Sequence, residues 1–405
     1  MQQGNDANKI IGFYGLGIAP GILQILERLH FKNPTPIQQQ AIPVAIEGKD
    51  LIGVAQTGPG KTLAFGIPMI QTLTQRGGQG LILLPTRELA LQVDEVFHKI
   101  GRSLGIKTAV LIGGTSSKPQ IASISRNPHI IIATPGRLLD HLSQKTIKLE
   151  RVSILILDEA DRMLDMGFQP QIKRILNVVP KNRQTMLFSA TLPAEIISIA
   201  SSHMKLPVSI EVAPQGTTIE SVSQEIFIVE KGQKTELLTV LLKKHGGSTL
   251  IFTRTKYGAK KVTKTLRDLG EKVAEIHSNR SLSQRRDALE GFRSGRFRVL
   301  VATDIASRGI DVVGIETVIN YDLPSQAGDY VHRIGRTGRA GMEGRAISFA
   351  MPEERNDIRS IERLIRKNIP VSQPPAGFSR EQGSQGEFNK PRPFYYPGRR
   401  RRRSP

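Results

Sequence analysis

The sequence predicts an α/β fold of two tandem parallel-sheet domains, and three observations lead there. Short β-branched runs alternate with helical patterns along most of the 405 residues, and strands that alternate with helices pair in parallel. The rhythm breaks once, at the turn-rich stretch Ala213-Pro214-Gln215-Gly216-Thr217-Thr218, and then resumes, as expected of a linker between two complete units. The apolar run Ser153-Ile154-Leu155-Ile156-Leu157 stops at three carboxylates, Asp158, Glu159 and Asp161. A buried strand that ends in acids delivers charge to the carboxyl rim of a parallel sheet, where open α/β proteins bind ligands.

In chain order, residues 1–40 form an N-terminal segment ahead of the first strand pattern. The first domain, 41–212, carries strand patterns at 51–55, 80–84, 108–112, 129–133, 153–157 and 185–189. The linker is 213–218. The second domain, 219–372, repeats the rhythm at 225–229, 249–253, 272–276, 298–302, 317–320 and 346–350, with helical patterns such as 234–244 and 259–269 between them. From 373 the chain turns rich in Pro, Gly, Ser and Arg and ends near Arg399-Arg400-Arg401-Arg402-Arg403. Without periodicity, 373–405 is expected to be a disordered basic tail.

Composition narrows the function. A net charge of +21, from 57 basic against 36 acidic residues, favours a polyanionic partner, because each neutralised phosphate releases condensed counterions. Charge alone leaves RNA, DNA and an anionic membrane open. The absence of cysteine excludes a disulfide framework, a zinc–thiolate site and a thiol nucleophile. No apolar run approaches the roughly 20 residues of a membrane span, and the start lacks the pattern of a signal peptide, so no membrane association and a cytoplasmic location are expected.

Ala55-Gln56-Thr57-Gly58-Pro59-Gly60-Lys61-Thr62 lies between a strand and a helix. A Gly-rich turn there points backbone N–H groups at phosphate oxygens, with the positive end of the helix behind them. Lys61 would reach the β- and γ-phosphates and Thr62 would ligate magnesium. Ala55 departs from the strict G-x-x-x-x-G-K-[ST] pattern, and alone the segment also reads as an ordinary αβ turn. The acids argue against that: Asp158 is placed to hold magnesium and Glu159 to orient or deprotonate an attacking water.

With these two motifs the chain resembles the DEAD-box ATP-dependent RNA helicases, from about Phe13 to Lys367, and in layout the bacterial RhlE-like branch. The resemblance implies RecA-like domains, ATP and Mg2+ as cofactors, and RNA as a largely sequence-independent partner. It also implies possible ribonucleoprotein or RNA-turnover partners. In Phe31-Lys32-Asn33-Pro34-Thr35-Pro36-Ile37-Gln38 it puts Phe31, Asn33 and Gln38 at the adenine. It puts Asp311 at the ribose. It assigns RNA contacts to Pro85, Thr86, Arg87, Gly114, Thr134, Pro135, Gly136, Arg137, Arg285, Thr303 and Asp304. Ser189 and Thr191 would meet Asp161 and, with His332, couple hydrolysis to strand separation. Arg336 and Arg339, three apart on a helical turn, would be arginine fingers for the γ-phosphate. Hydrolysis would then require closure of the two domains.

Two positions depart from the family pattern. Pro59 removes a backbone donor from the phosphate loop, so weaker nucleotide binding is expected, and Pro59→Ser tests it. Leu282 stands where the family has the glutamine of a Q-x-x-R pair with Arg285; a weakened closed state is expected, with Leu282→Gln raising RNA-stimulated ATPase. The leading function is an RNA-dependent ATPase that unwinds short duplexes or remodels ribonucleoproteins by local strand bending. An ATP-gated RNA clamp with slow turnover is the alternative, and a related DNA helicase the third.

Overall fold

The computed structural model describes residues 12–55, 60–212, 222–304, 312, 314–338, 342–375 and 378. Its first sheet contains β1 (Leu51–Val54), β2 (Gln79–Leu83), β3 (Thr108–Leu111), β4 (Ile130–Ala133), β5 (Val152–Leu157), β6 (Gln184–Ser189) and β7 (Val208–Glu211). They lie in the order β3-β4-β2-β5-β6-β1-β7, every pairing parallel. The near-continuous apolar strands follow from this arrangement, since helices cover both faces of a parallel sheet. Ile130, Ile131, Ile132, Leu155 and Ile156 are all essentially inaccessible.

The second sheet contains β8 (Val222–Ile228), β9 (Thr249–Phe252), β10 (Val273–Ile276), β11 (Val299–Ala302), β12 (Thr317–Asn320) and β13 (Gly344–Ala350). Its order is β10-β11-β9-β12-β13-β8, again all parallel. Strand β7 is an addition to the sequence-based expectation. It is a four-residue edge strand of which only Ile210 is buried, too little alternation to read from sequence.

The N-terminal segment is part of the first core. Phe13, Leu16 and Ile18, with Ile22 and Leu26 of the helix Pro20–Arg28, join the cluster beneath β1 and β6. At the other end, residues 373–375 and Phe378 are described, and Phe378 packs against the second-sheet core. The rest of the Arg-rich tail and the linker 213–218 lie outside the described residues. Among the described residues no helix is long and apolar enough to cross a membrane.

Candidate active site and nucleic-acid interface

The acid cluster stands at the rim where β5 ends. Glu159 adopts a left-handed backbone, φ 51°, directly before the helix Ala160–Asp165, so the chain turns sharply and keeps the acids at the strand end. Asp158 is buried, and its Oδ1 accepts the Glu159 N–H at 2.9 Å. Burial pushes its carboxyl up to about 6, against the opposing pull of Lys61. Lys61 begins the helix Lys61–Arg76, is itself buried, and donates from Nζ to the Ala55 carbonyl at 3.2 Å. Thr62 follows, half-buried.

Gln38 ties the N-terminal segment to this loop. Its Oε1 accepts the Thr35 N–H at 2.8 Å, which caps the helix Pro36–Ile46, and its Nε2 donates to the Gly60 carbonyl at 3.0 Å. The site at Gly60 is tight: a Cβ there would meet Thr35 Oγ1 at 2.7 Å. Phe31 is a 41% exposed aromatic, and Asn33 beside it is exposed. Gln56, Thr57, Gly58, Pro59, Asp311 and Arg339 lie outside the described residues.

Asp161 joins β5 to the end of β6. Its Oδ2 accepts from Ala190 N at 3.1 Å, Thr191 N at 2.9 Å and Thr191 Oγ1 at 3.0 Å, while its own N–H donates to Ser189 Oγ at 3.2 Å. Three of the four residues that the resemblance groups as a coupling unit, Asp161, Ser189 and Thr191, are thus in direct contact, while His332 stands in the second domain. Next to them, Arg162 is 3% exposed and pairs with Glu159 at 3.4 Å.

Arg162 faces the second domain. A cavity of about 10 Å³ has Arg162 on one side and Phe252, Asp304, Asp329, His332, Arg333 and Arg336 on the other. Arg333 is fully buried there. It donates to Asp304 from Nε at 2.5 Å and Nη2 at 2.7 Å, and from Nη1 to Asn320 at 3.0 Å and the Asp322 carbonyl at 2.7 Å. Its guanidinium stacks over Phe252, 5.0 Å from the ring centre. Asp304, expected from the resemblance as an RNA contact, accepts from Arg333 through both carboxylate oxygens. Thr303, beside it, is half-buried at the rim, its N–H bonded to the Ile276 carbonyl at 3.3 Å.

The other expected RNA contacts gather at the rim of both domains. Pro85 is buried, and Thr86 caps the helix Arg87–Gly101 by accepting the Leu89 N–H at 3.3 Å. Thr134 and Pro135 start the helix Pro135–Ser143, Gly136 has open space above it, and Arg137 Nη2 donates to the Thr115 carbonyl at 3.0 Å. Gly114 has φ 71°, and a Cβ there would collide with the Arg87 guanidinium. Burial, and then the nearby positive charges of Arg285 and Arg137, lower the Arg87 pKa; Glu88 opposes them. Arg87 thus stands within electrostatic reach of two further guanidiniums, one from each domain.

The domains also clasp directly. Arg285 Nη1 lies 2.8 Å from Glu88 Oε1, with both side chains nearly buried. Leu282 packs against the apolar cluster of the first domain. That packing argues against the expectation that Leu282 weakens closure, since an apolar side chain at this seam buries surface that a glutamine would keep wet.

Comparison with known proteins shows the family. Residues 35–199 match the DEAD/DEAH box helicase family and residues 233–341 match the helicase conserved C-terminal domain. The chain belongs to the DEAD/DEAH box helicase family. It is similar to the ATP-dependent rRNA helicase RRP3 of Gibberella zeae, 41% identical over 362 residues, covering 88% of this chain and 74% of that protein. It is also similar to the ATP-dependent RNA helicase CshA of Listeria monocytogenes, 42% identical over 367 residues, 90% of this chain and 70% of that one. In structure it resembles S. cerevisiae Dbp5 bound to RNA and ADP BeF3, with TM-score 0.81 and 31% identity over 89% of this chain and 95% of that one. Within this helicase fold, sequence reasoning missed Glu88, Arg162 and Arg333. Only Arg162 left a trace, three residues after Glu159 on a helix, where an ion pair is favoured.

Proposed function

We propose that the chain is an RNA-dependent ATPase that separates short RNA duplexes, or remodels ribonucleoproteins, by bending a strand locally when its two domains close. The observation that carries the reading is the shared interface. Glu159 sits at the acid rim of one domain, its partner Arg162 faces the other, and Arg336 lies across the same small cavity. We divide the chain functionally at the linker, 41–212 against 219–372.

Gln38, with Phe31 and Asn33, would recognise adenine, and Lys61 would hold the β- and γ-phosphates. Glu159 would take the proton of the attacking water as its oxygen bonds the γ-phosphorus and the bond to ADP breaks. Arg336 and Arg339 would stabilise the charge on the transferred group. Thr62 and Asp158 would hold magnesium. They fit it as hard oxygen donors, and the buried Asp158 carboxylate, raised to about 6 with Lys61 as its nearest cation, favours a further positive charge. When bound, the ion neutralises phosphate charge. Arg87, Arg137 and Arg285 would take RNA phosphates together with the helix starts at Thr86 and Thr134.

The test is steady-state ATPase with and without RNA, beside unwinding of a short duplex. Stimulation by RNA is expected, and Glu159→Gln should lower turnover by about 10² or more with nucleotide still bound. Hydrolysis indifferent to RNA refutes the reading. The buried Glu88–Arg285 pair favours a long-lived closed state, and therefore the clamp as second reading. Tight analogue-locked RNA binding with little turnover would select it.

A further inference from the structure

The helix Lys256–Asp268 presents a one-signed face that the site above does not use. Its inner side, Ala259, Val262, Thr263 and Leu266, is buried against the second sheet. The opposite side therefore carries Tyr257, Lys260, Lys261, Lys264 and Arg267, all exposed. These positions follow the three- and four-residue spacing of a single helical stripe, about 15 Å long at 1.5 Å per residue. Like charges so spaced repel. Among the described residues none of these four cations forms an ion pair. Asp268, the last residue, is the helix's only acid. Other exposed helices mix their signs: Arg286, Asp287, Glu290 and Arg293 on one, Arg355, Asp357, Arg359 and Glu362 on another.

The stripe starts at the rim already assigned to RNA. Thr253 N–H bonds the Ala302 carbonyl at 2.9 Å, just before Thr303. Lys256 Nζ reaches Asn279 on the loop after β10 at 3.1 Å. Tyr257, 73% exposed with Lys256 over its ring at 5.3 Å, stands at that end, and the cations run from it down the flank of the sheet.

We infer that this face binds the backbone of a double-stranded RNA segment continuous with the single strand held at the rim, Tyr257 packing at the junction. The inference rests on the RNA reading above. A duplex fits better than further single strand, because the face is a straight, exposed row of cations on a rigid helix rather than a groove that threads a flexible strand. This stripe has one aromatic, at its rim end, followed only by cations, which suits the phosphates and shape of an A-form helix.

The test compares the full chain with a Lys260→Ala/Lys261→Ala/Lys264→Ala variant, each with ADP and beryllium fluoride. Two RNAs are titrated over a salt series: a ten-nucleotide single strand, and the same strand extended by an eight-base-pair hairpin. For the hairpin RNA the variant's Kd should rise about tenfold. Its log K against log salt slope should fall by about two to three, near one for each phosphate no longer neutralised. Single-strand Kd and single-strand-stimulated ATPase should not change. Equal Kd values for the hairpin RNA in both proteins overturn the inference. An equal weakening on both RNAs also overturns it, by showing general attraction of RNA. Binding of neither RNA by the unaltered chain defeats the functional reading itself, a result distinct from either.

Discussion

Replacing Asp158 by asparagine should stabilise the nucleotide-free protein while it abolishes hydrolysis. Burial raises the carboxyl from 3.8 to about 6, and at about 1.4 kcal/mol per unit the ionised group costs the fold about 3 kcal/mol. The sign follows from proton linkage. Between 3.8 and about 6 the folded state binds more protons than the unfolded one, so this group's contribution to stability falls as pH rises through that window, and the full cost stands above it. Asparagine carries no charge at any pH and keeps an oxygen for the Glu159 N–H, now 2.9 Å from Asp158 Oδ1. The gain from D158N should be about 3 kcal/mol at pH 7.5 and roughly half as large at pH 5. With a urea m-value of about 2 kcal/mol/M, the first-domain midpoint, followed by circular dichroism, moves up by about 1.5 M at pH 7.5 and by about half that at pH 5. A midpoint that is unchanged or lower at pH 7.5, or a gain that does not shrink on acidification, refutes the argument. The trade is a common one, since groups poised for chemistry are often poor for stability.

Three further outcomes are expected. Glu88→Gln leaves Arg285 without its buried counter-charge; breaking such pairs costs about 3 to 5 kcal/mol, so RNA affinity with a non-hydrolysable ATP analogue should fall at least about tenfold, and an unchanged Kd would show that the pair does not support closure. Leu282→Gln removes apolar packing from the domain seam and should lower RNA-stimulated ATPase by a few-fold; a rise would restore the expectation drawn from sequence alone. Arg333→Lys loses the two-pronged grip on Asp304, which a lysine cannot reproduce; the second domain should lose about 3 kcal/mol, and a melting temperature within a degree of the parent would count against this.

The strands and the acid rim were legible because both are local signals. An apolar run that ends in Asp158 and Glu159 declares a buried parallel strand and its rim in one stretch, and the meeting of Asp161 with Ser189 and Thr191 followed from family resemblance. What stayed hidden depends on pairs far apart in sequence. Nothing near Asp304 announces that Arg333, 29 positions on, will take both its oxygens. Glu88 and Arg285 sit in different domains, and each alone looks like a charge on a solvated helix. Leu282 is ambiguous for the same reason: judged by its neighbours it is a missing hydrogen bond, and judged by the surface it meets it is an apolar side chain partly packed on the other domain.

Arg162 shows why the site is divided between domains. Four consecutive ionic or small positions, Asp158 to Asp161, are buried, and Arg162 is the cation that faces Glu159. Its other surroundings belong to the second domain, across a space that holds about one water. While the domains are closed this pair lies at low dielectric, where a charge–charge interaction at 3.4 Å is strong. Separation would let water reach Arg162, weaken its hold on the carboxylate and withdraw Arg336 in the same motion. On the proposed roles, Glu159 would be oriented only when Arg336 is also in place, so neither domain alone would hydrolyse nucleotide efficiently, and whatever favours closure would govern the rate.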